Sequence, residues 1–505
     1  MLIRVILTRD RAARIPNMSV PRLAGGLPLL GHGIEFHRNP VDFLRRGRDL
    51  HGEVFSFNLA GKTVHALTEP RGNSAFFHAP DDQLSAREAY QFTVPMFGKG
   101  VVYDVTPELM DEQIGLVIPA LRDVRMQNYA RAIEEETEAY CAGWGDKGEI
   151  DLLNAMNELT VFNASRCLVG HEFRQRLSAE FAHSYHDLEA GVNLVAFFKP
   201  GWPLPAMRRR DRGRANLARL ISGVLAEKRA RPPADEDFVD TLAAARYADG
   251  RSLTDHEIVG LLLSLVFAGQ HTSAVMASWT GILLLQHPHY LNRVLNEQLK
   301  LPHGEPLTIA SLRQLVTLER CIKEAERMYP PIVMLIRTIL RDFVYQGHTL
   351  PAGDLAMVSP AVTHHLPHIF HEPHLYDPDR FAPGREEDRR TQFALIGFGG
   401  GKHRCIGSGF AYQQIKVIWT VLLREFDLEL SSDEYLPDYS TMMVGPRRPC
   451  MVRYRRKPRL ARGSLDVPGD HAMTGDHNGL APSLSQTCDR REKACGAGLQ
   501  PDQFR

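Results

Sequence analysis

The sequence predicts a mainly α fold with small β-sheets, built as a single large domain, and three observations carry that prediction. Apolar residues recur at helical spacing through most of residues 106–300 and again over 308–329 and 407–426. Alternating apolar and polar residues, the mark of half-buried strands, are confined to short stretches near the two ends. The apolar fraction is 44%, enough for a large core across 505 residues.

Taken in order, residues 16–40 hold Pro16, Pro21, Gly25, Gly26, Pro28, Gly31, Gly33 and Pro40 and read as an extended entry segment. Residues 53–68 alternate around Gly61-Lys62 and read as a hairpin. Helical periodicity then covers 107–121, 127–144, 150–168, 171–197, 213–230, 236–246 and 254–287. After the helical block 308–329, β-like stretches follow at 337–345 and 355–359. The last helix is 407–426, and Cys450–Tyr454 is a closing strand. From about Lys457 the chain is rich in Gly, Pro, Asp, Arg and Ser without apolar periodicity, which predicts a disordered tail over 457–505. Residues 1–24 form an N-terminal extension and 25–456 the domain, with Met18 opening a more typical leader.

Lys plus Arg and Asp plus Glu stand at 60 each, so nothing in the balance points to nucleic acid. Seven scattered cysteines, an odd number, fit reduced thiols and a cytoplasmic setting rather than a disulfide framework. Met1–Leu7 is too short and too soon interrupted by Arg4 and Arg9 to span a bilayer. A peripheral membrane contact through these residues stays open. Cys488 and Cys495 are too few to hold an iron–sulfur cluster, which argues against a fused ferredoxin.

The chemistry concentrates in Phe398-Gly399-Gly400-Gly401-Lys402-His403-Arg404-Cys405-Ile406-Gly407. Three consecutive glycines are no helix or strand interior; they let the backbone approach something flat. Cys405 sits just before a helix, where amide donors and the dipole favour a thiolate. A thiolate so held suits an axial ligand of haem iron. Taken alone, Cys405 reads better as an ordinary buried cysteine in a Gly-rich turn. The full pattern Phe-x-x-Gly-x-His-x-Cys-x-Gly resembles the haem-ligand loop of the cytochrome P450 family.

That resemblance gives meaning to other residues. In Ala268-Gly269-Gln270-His271-Thr272-Ser273, polar residues interrupt a core-like helix. Read alone, this is a packing notch or a site in equal measure. Beside haem it is a local widening where His271 and Thr272 supply protons for O2 activation. Its wording is similar to the sterol 14α-demethylase branch, which implies Glu189 as the acidic partner of His271. Glu324 and Arg327, three apart on a helix, match the family's Glu-x-x-Arg signature, with Arg380 completing a buried structural charge cluster.

The segment Tyr90–Asp104 resembles that branch's substrate-recognition loop. The resemblance assigns Tyr90, Arg337 and His403 to the haem propionates, Phe398 and Gly401 to the haem loop, and Phe92, Phe97, Ala268, Met334 and Met442 to the substrate pocket, with Thr272 also facing it. It departs in the helix after Asp104, which carries Asp111 and no Lys or Arg before Arg122; Lys99 is the substitute the sequence offers. The implied activity is sterol 14α-demethylation by a haem b (iron–thiolate) monooxygenase using O2. Electrons would come from NAD(P)H through a separate ferredoxin with its reductase, or a cytochrome P450 reductase. The alternatives are oxidation of another sterol, triterpenoid or lipid, and a haem-binding protein without oxygenase activity.

Overall fold

The computed structural model describes residues 18–175, 179–189, 191, 196–197, 201–230, 237–302 and 304–458. Residues 1–17 and the tail from 459, with Cys488 and Cys495, lie outside the described residues. The described residues belong to the unit Met1–Arg459.

The core is a helical bundle around Asp255–Gln286, 32 residues long. Thr254 starts this helix with a reciprocal cap: its Oγ1 accepts from Glu257 N–H, and the Glu257 carboxylate accepts from Thr254 N–H at 2.8 Å. Almost every residue from Glu257 to Leu284 is buried, because Leu152–Ala164, Val316–Met328 and Ser408–Glu425 pack around the helix. Such burial contributes about 1.5–3 kcal/mol for each large apolar side chain. Gly281 is where the bundle is tightest: a Cβ there would lie 1.9 Å from the Trp419 ring. Trp419 Nε1 donates to the Ala277 carbonyl at 2.9 Å, and Trp279 stacks on Tyr329 with centroids 3.8 Å apart. Asp255–Gln286 is, among the described residues, the one helix long and apolar enough to cross a membrane, and it lies inside the protein.

Among the described residues ten strands, β1 to β10, form three sheets. β1 (Val54–Leu59) and β2 (Lys62–Leu67) are the expected hairpin. They extend through β8 (Leu355–Val358), β5 (Leu335–Ile339) and β3 (Leu84–Ser85) in the order β1-β2-β8-β5-β3, with β2 and β8 parallel. β4 (Lys147–Asp151), β10 (Met451–Arg456) and β9 (Phe426–Leu430) form a second sheet, and β6 (Phe343–Tyr345) with β7 (His348–Leu350) a third.

Several boundaries differ from the sequence reading. The entry segment turns helical within its expected extended stretch, as Gly33–Arg38 and Pro40–His51. Asn39 caps the second of these, its Oδ1 accepting from Asp42 N–H at 3.0 Å, and Pro40 starts it at the position where proline costs nothing. The helix expected at 107–121 is α only to Val117 and then tightens to a 3-10 turn around Pro119, Ile118–Leu121. The block 308–329 breaks at Leu315 into Ile309–Gln314 and Val316–Met328. Of the stretch 171–197, the described part forms His171–Gln175 and Ala179–Glu189. β4, β7, β9 and the helices Pro70–His78 and Pro288–Gln298 were not anticipated. Among the described residues the five cysteines are free, as expected, and Cys405 alone is exposed.

Candidate active site

Two elements face the chemistry. On Asp255–Gln286 the buried pattern is broken for one turn: Ala268 is exposed and Gly269, His271 and Thr272 are partly so, in the middle of a core helix. A Cβ added to Gly269 would meet nothing within 4 Å, so this turn borders open space. Thr272 Oγ1 donates to the Ala268 carbonyl at 2.7 Å, which leaves its lone pairs free to accept. His271 Nε2 lies 2.6 Å from Glu189 Oε1, an ion-pair distance approached too far off axis to make a hydrogen bond. The expected pair is therefore brought together, across from the helix Ala179–Glu189.

The second element is the cysteine loop. Cys405 N–H donates to the Phe398 carbonyl at 2.9 Å, which folds the loop back and leaves the thiol side accessible at the start of Ser408–Glu425. The amides of Gly407 and Ser408 are donors to Sγ and favour the thiolate, but desolvation outweighs them and pushes the thiol up. The helix start thus supplies the expected amide donors, and burial opposes them. The glycines also pack closely against the protein itself. Gly399 and Gly401 have φ of +69° and +60°, and a Cβ on Gly401 would fall 2.4 Å from the Phe77 carbonyl. A Cβ on Gly400 would fall 2.6 Å from the Phe393 ring. These two glycines are needed for packing against protein.

Arg337 on β5 is 2% exposed; its Nη1 donates to the carbonyls of Phe76 (2.8 Å) and Ala79 (3.3 Å). Among the described residues it makes no ion pair. Burial accordingly pulls the guanidinium down from its usual range, with Asp81, Tyr90 and Tyr103 opposing. Tyr90 stacks on Tyr103 with centroids 5.1 Å apart, and burial pushes both phenols up. Tyr103 is a site residue that the sequence does not single out; its only signal is its place in the same aromatic segment as Tyr90.

His403 is placed differently from expectation. Its Nε2 lies 2.5 Å from Asp81 Oδ1, so the imidazole is committed to that carboxylate. Lys402 Nζ joins Asp81 at 2.8 Å and Asp111 at 2.9 Å. The helix after Asp104 thus contributes an anion, Asp111, to the cysteine loop's Lys402. Lys99 is exposed, and its backbone carbonyl faces His256 Nε2 at 2.9 Å.

The apolar candidates gather in part. Phe92 packs on Phe197 (5.6 Å) and Phe97 on Phe267 (5.7 Å), whose ring neighbours His271 at 6.3 Å. Met334 is partly buried against two core clusters, and Met442 is half-buried beyond Tyr439. The structural cluster forms in full. Glu324 accepts from Arg327 (2.8 Å) and Arg380 (2.9 Å), all three fully buried, while Glu387, not anticipated, takes the outer face of Arg380 at 2.7 Å.

The family model for cytochrome P450 matches residues 21–452. The chain belongs to the cytochrome P450 family. A sterol 14-demethylase of Arabidopsis thaliana is 40% identical to this P450 over 445 residues, covering 86% of this chain and 91% of that protein. A sterol 14alpha-demethylase of Mycobacterium tuberculosis is 39% identical over 447 residues, covering 87% and 99%. A solved cyanobacterial P450 with retinoic acid bound superposes with a TM-score of 0.79 at 25% identity, covering 87% of this chain and all of that one.

Membership in the family brings a haem–thiolate iron centre and O2 as co-substrate. The residues present fit that group. Cys405 offers an exposed sulfur beside the amides of Gly407 and Ser408, Arg337 is a buried cation with no ion pair among the described residues, and the Ala268–Thr272 turn borders open space.

Proposed function

We propose that this P450 is a sterol 14α-demethylase. Three successive oxidations would carry the 14α-methyl group to alcohol and aldehyde and then expel it as formate, leaving a 14,15 double bond. What supports the reading is His271 seated on Glu189 at 2.6 Å, one residue from Thr272, in a chain about 40% identical to demethylases along most of its length.

Haem, when bound, supplies O2 binding and activation. Everything else falls to this chain. Cys405 holds the iron, and Arg337 with Tyr90 neutralises the propionates, since a buried carboxylate needs a charged or hydroxyl donor. Phe398 and Gly401 shape the loop. Phe92, Phe97, Ala268, Met334 and Met442 form an apolar wall for a rigid polycyclic lipid and keep water out. His271 and Glu189 form the outer pair of the proton relay, and Thr272 passes protons inward through its hydroxyl. Glu324, Arg327 and Arg380 brace the underlying core.

Electrons come from NAD(P)H through a separate ferredoxin or reductase. Residues 25–456 form the haem domain, set in the cytoplasm or at a membrane surface, between the extension 1–24 and the tail. Incubation with a panel of 14-methyl sterols and a surrogate reductase tests the proposal. The expected products are a 14,15-unsaturated sterol and formate; a sterol hydroxylated at another carbon, its 14-methyl group unoxidised, would replace the reading with another lipid hydroxylase.

A further inference from the structure

Glu326 lies inside the Glu-x-x-Arg stretch, yet neither the charge cluster nor the proposed reaction uses it. Its neighbours on either side in the signature, Glu324 and Arg327, satisfy one another. Glu326 points elsewhere. It is 3% exposed and has no cation within ion-pairing distance among the described residues. Its Oε2 accepts from the Tyr412 hydroxyl at 2.7 Å, and a Cβ on Gly397 would lie 2.4 Å from its Oε1. Gly397 precedes Phe398, whose carbonyl takes the Cys405 N–H and whose ring lies 5.8 Å from Tyr412. A buried carboxyl therefore abuts the root of the thiolate loop, joined to it through Gly397 and Tyr412.

We infer that Glu326 is a positioning residue behind the thiolate, whose carboxyl takes up a proton when the centre held by Cys405 gains an electron. The step balances: the redox partner supplies one electron and the solvent one proton as hydronium; the Tyr412 O–H bond breaks as its proton passes to Glu326 Oε2, a new Tyr412 O–H bond forms with the hydronium proton, and water is left. The physical reason is charge. An anion in a poorly solvated site opposes a second negative charge nearby, and protonating it relieves the cost.

The surrounding groups leave Glu326 poised rather than fixed. Burial is the largest influence on its carboxyl and raises it to about 7, while the Tyr412 hydrogen bond, Lys323 and Arg404 pull it down and Asp388 pushes it up. Lys323 is already taken by Asp388 at 2.5 Å, and Glu319 faces Tyr412 from the same helix. The field of Glu326 reaches Cys405, whose thiol it pushes up.

The inference rests on Cys405 as the axial ligand, so the thiolate-type reduced carbon-monoxide band is recorded beside every potential. The test is the haem midpoint potential across neutral pH for the natural full-length protein, Glu326→Gln and Tyr412→Phe. Glu326→Gln keeps an acceptor for Tyr412 and removes the proton site. The natural protein's reduction equilibrium should weaken about tenfold as pH rises through the titration, about 59 mV for one electron. Glu326→Gln should lose most of that dependence. Tyr412→Phe, which removes the donor, should move it to higher pH.

The same pH dependence in natural protein and Glu326→Gln, with the band present in both, overturns the inference. If Glu326→Gln does not load haem, the natural protein and Tyr412→Phe decide: a pH-independent natural potential, or an unmoved midpoint in Tyr412→Phe, overturns it. A natural protein without the thiolate-type band overturns the ligand reading and the inference with it.

Discussion

Cys405, His271 and Glu326 show how far residue types reveal roles. The cysteine and the histidine were legible because each breaks a local rule: a thiol after three glycines, and polar residues within a core helix. Glu189 followed from a resemblance, and the structure puts it against His271. His403 did not follow its pattern, because its committed partner, Asp81, lies 322 residues away, a distance no local spacing reports. Glu326 gave no signal at all, since a carboxylate on a helix is usually solvated and only packing reveals its burial.

Two predictions belong at this scale. His271→Ala and Thr272→Ala should each release more reduced oxygen by-product per product formed, measured as oxygen consumed against sterol converted; unchanged coupling in both removes them from proton delivery. The second concerns stability. The Glu326 carboxyl rises from 4.5 to about 7 on folding, so the folded chain keeps its proton longer than the unfolded one. Below the unfolded value both states hold it and nothing is lost; as pH climbs to about 7 the unfolded chain releases its proton first, and stability falls by about 1.4 kcal/mol per pH unit. Glu326→Gln should therefore match the natural protein in acid and exceed it by roughly 3 kcal/mol at mildly alkaline pH in denaturant titrations. A constant difference at all pH values would show that the carboxyl does not titrate on folding.

Among elements, the long periodic helices were legible and the short strands less so. Asp255–Gln286 was anticipated within a residue at each end, since its cap and its apolar run coincide. β4 and β9 were missed because both find their place by pairing with the distant β10, and their own residues alternate weakly. The glycine triplet was legible as irregular, whereas Phe77 and Phe393, which crowd it, are brought in by tertiary packing and were not. The bundle's closest approach makes its own prediction. Gly281→Ala would drive a methyl group to 1.9 Å from Trp419. It should destabilise the protein by about 1–3 kcal/mol, read from the thermal or denaturant midpoint. A neutral effect would mean that the Trp419 ring can move aside despite its bond to Ala277.

The whole molecule joins a helical bundle to small sheets so that one turn of a core helix is left open and one loop presents a sulfur. The buried cluster of Glu324, Arg327, Arg380 and Glu387 braces the region beneath that loop. Breaking it with Glu324→Ala leaves two buried guanidinium groups short of their shared anion and should cost about 3–5 kcal/mol, seen as loss of haem-loaded protein. The overall fold class was legible in composition and periodicity, whereas the pairing of Lys402 with Asp81 and Asp111 needed the three-dimensional arrangement. The most direct measurement is the reduced carbon-monoxide difference spectrum of the natural protein and Cys405→Ser. A thiolate-type band in the first and its loss in the second is the result predicted here; an unchanged band in Cys405→Ser would contradict the assignment on which the rest depends.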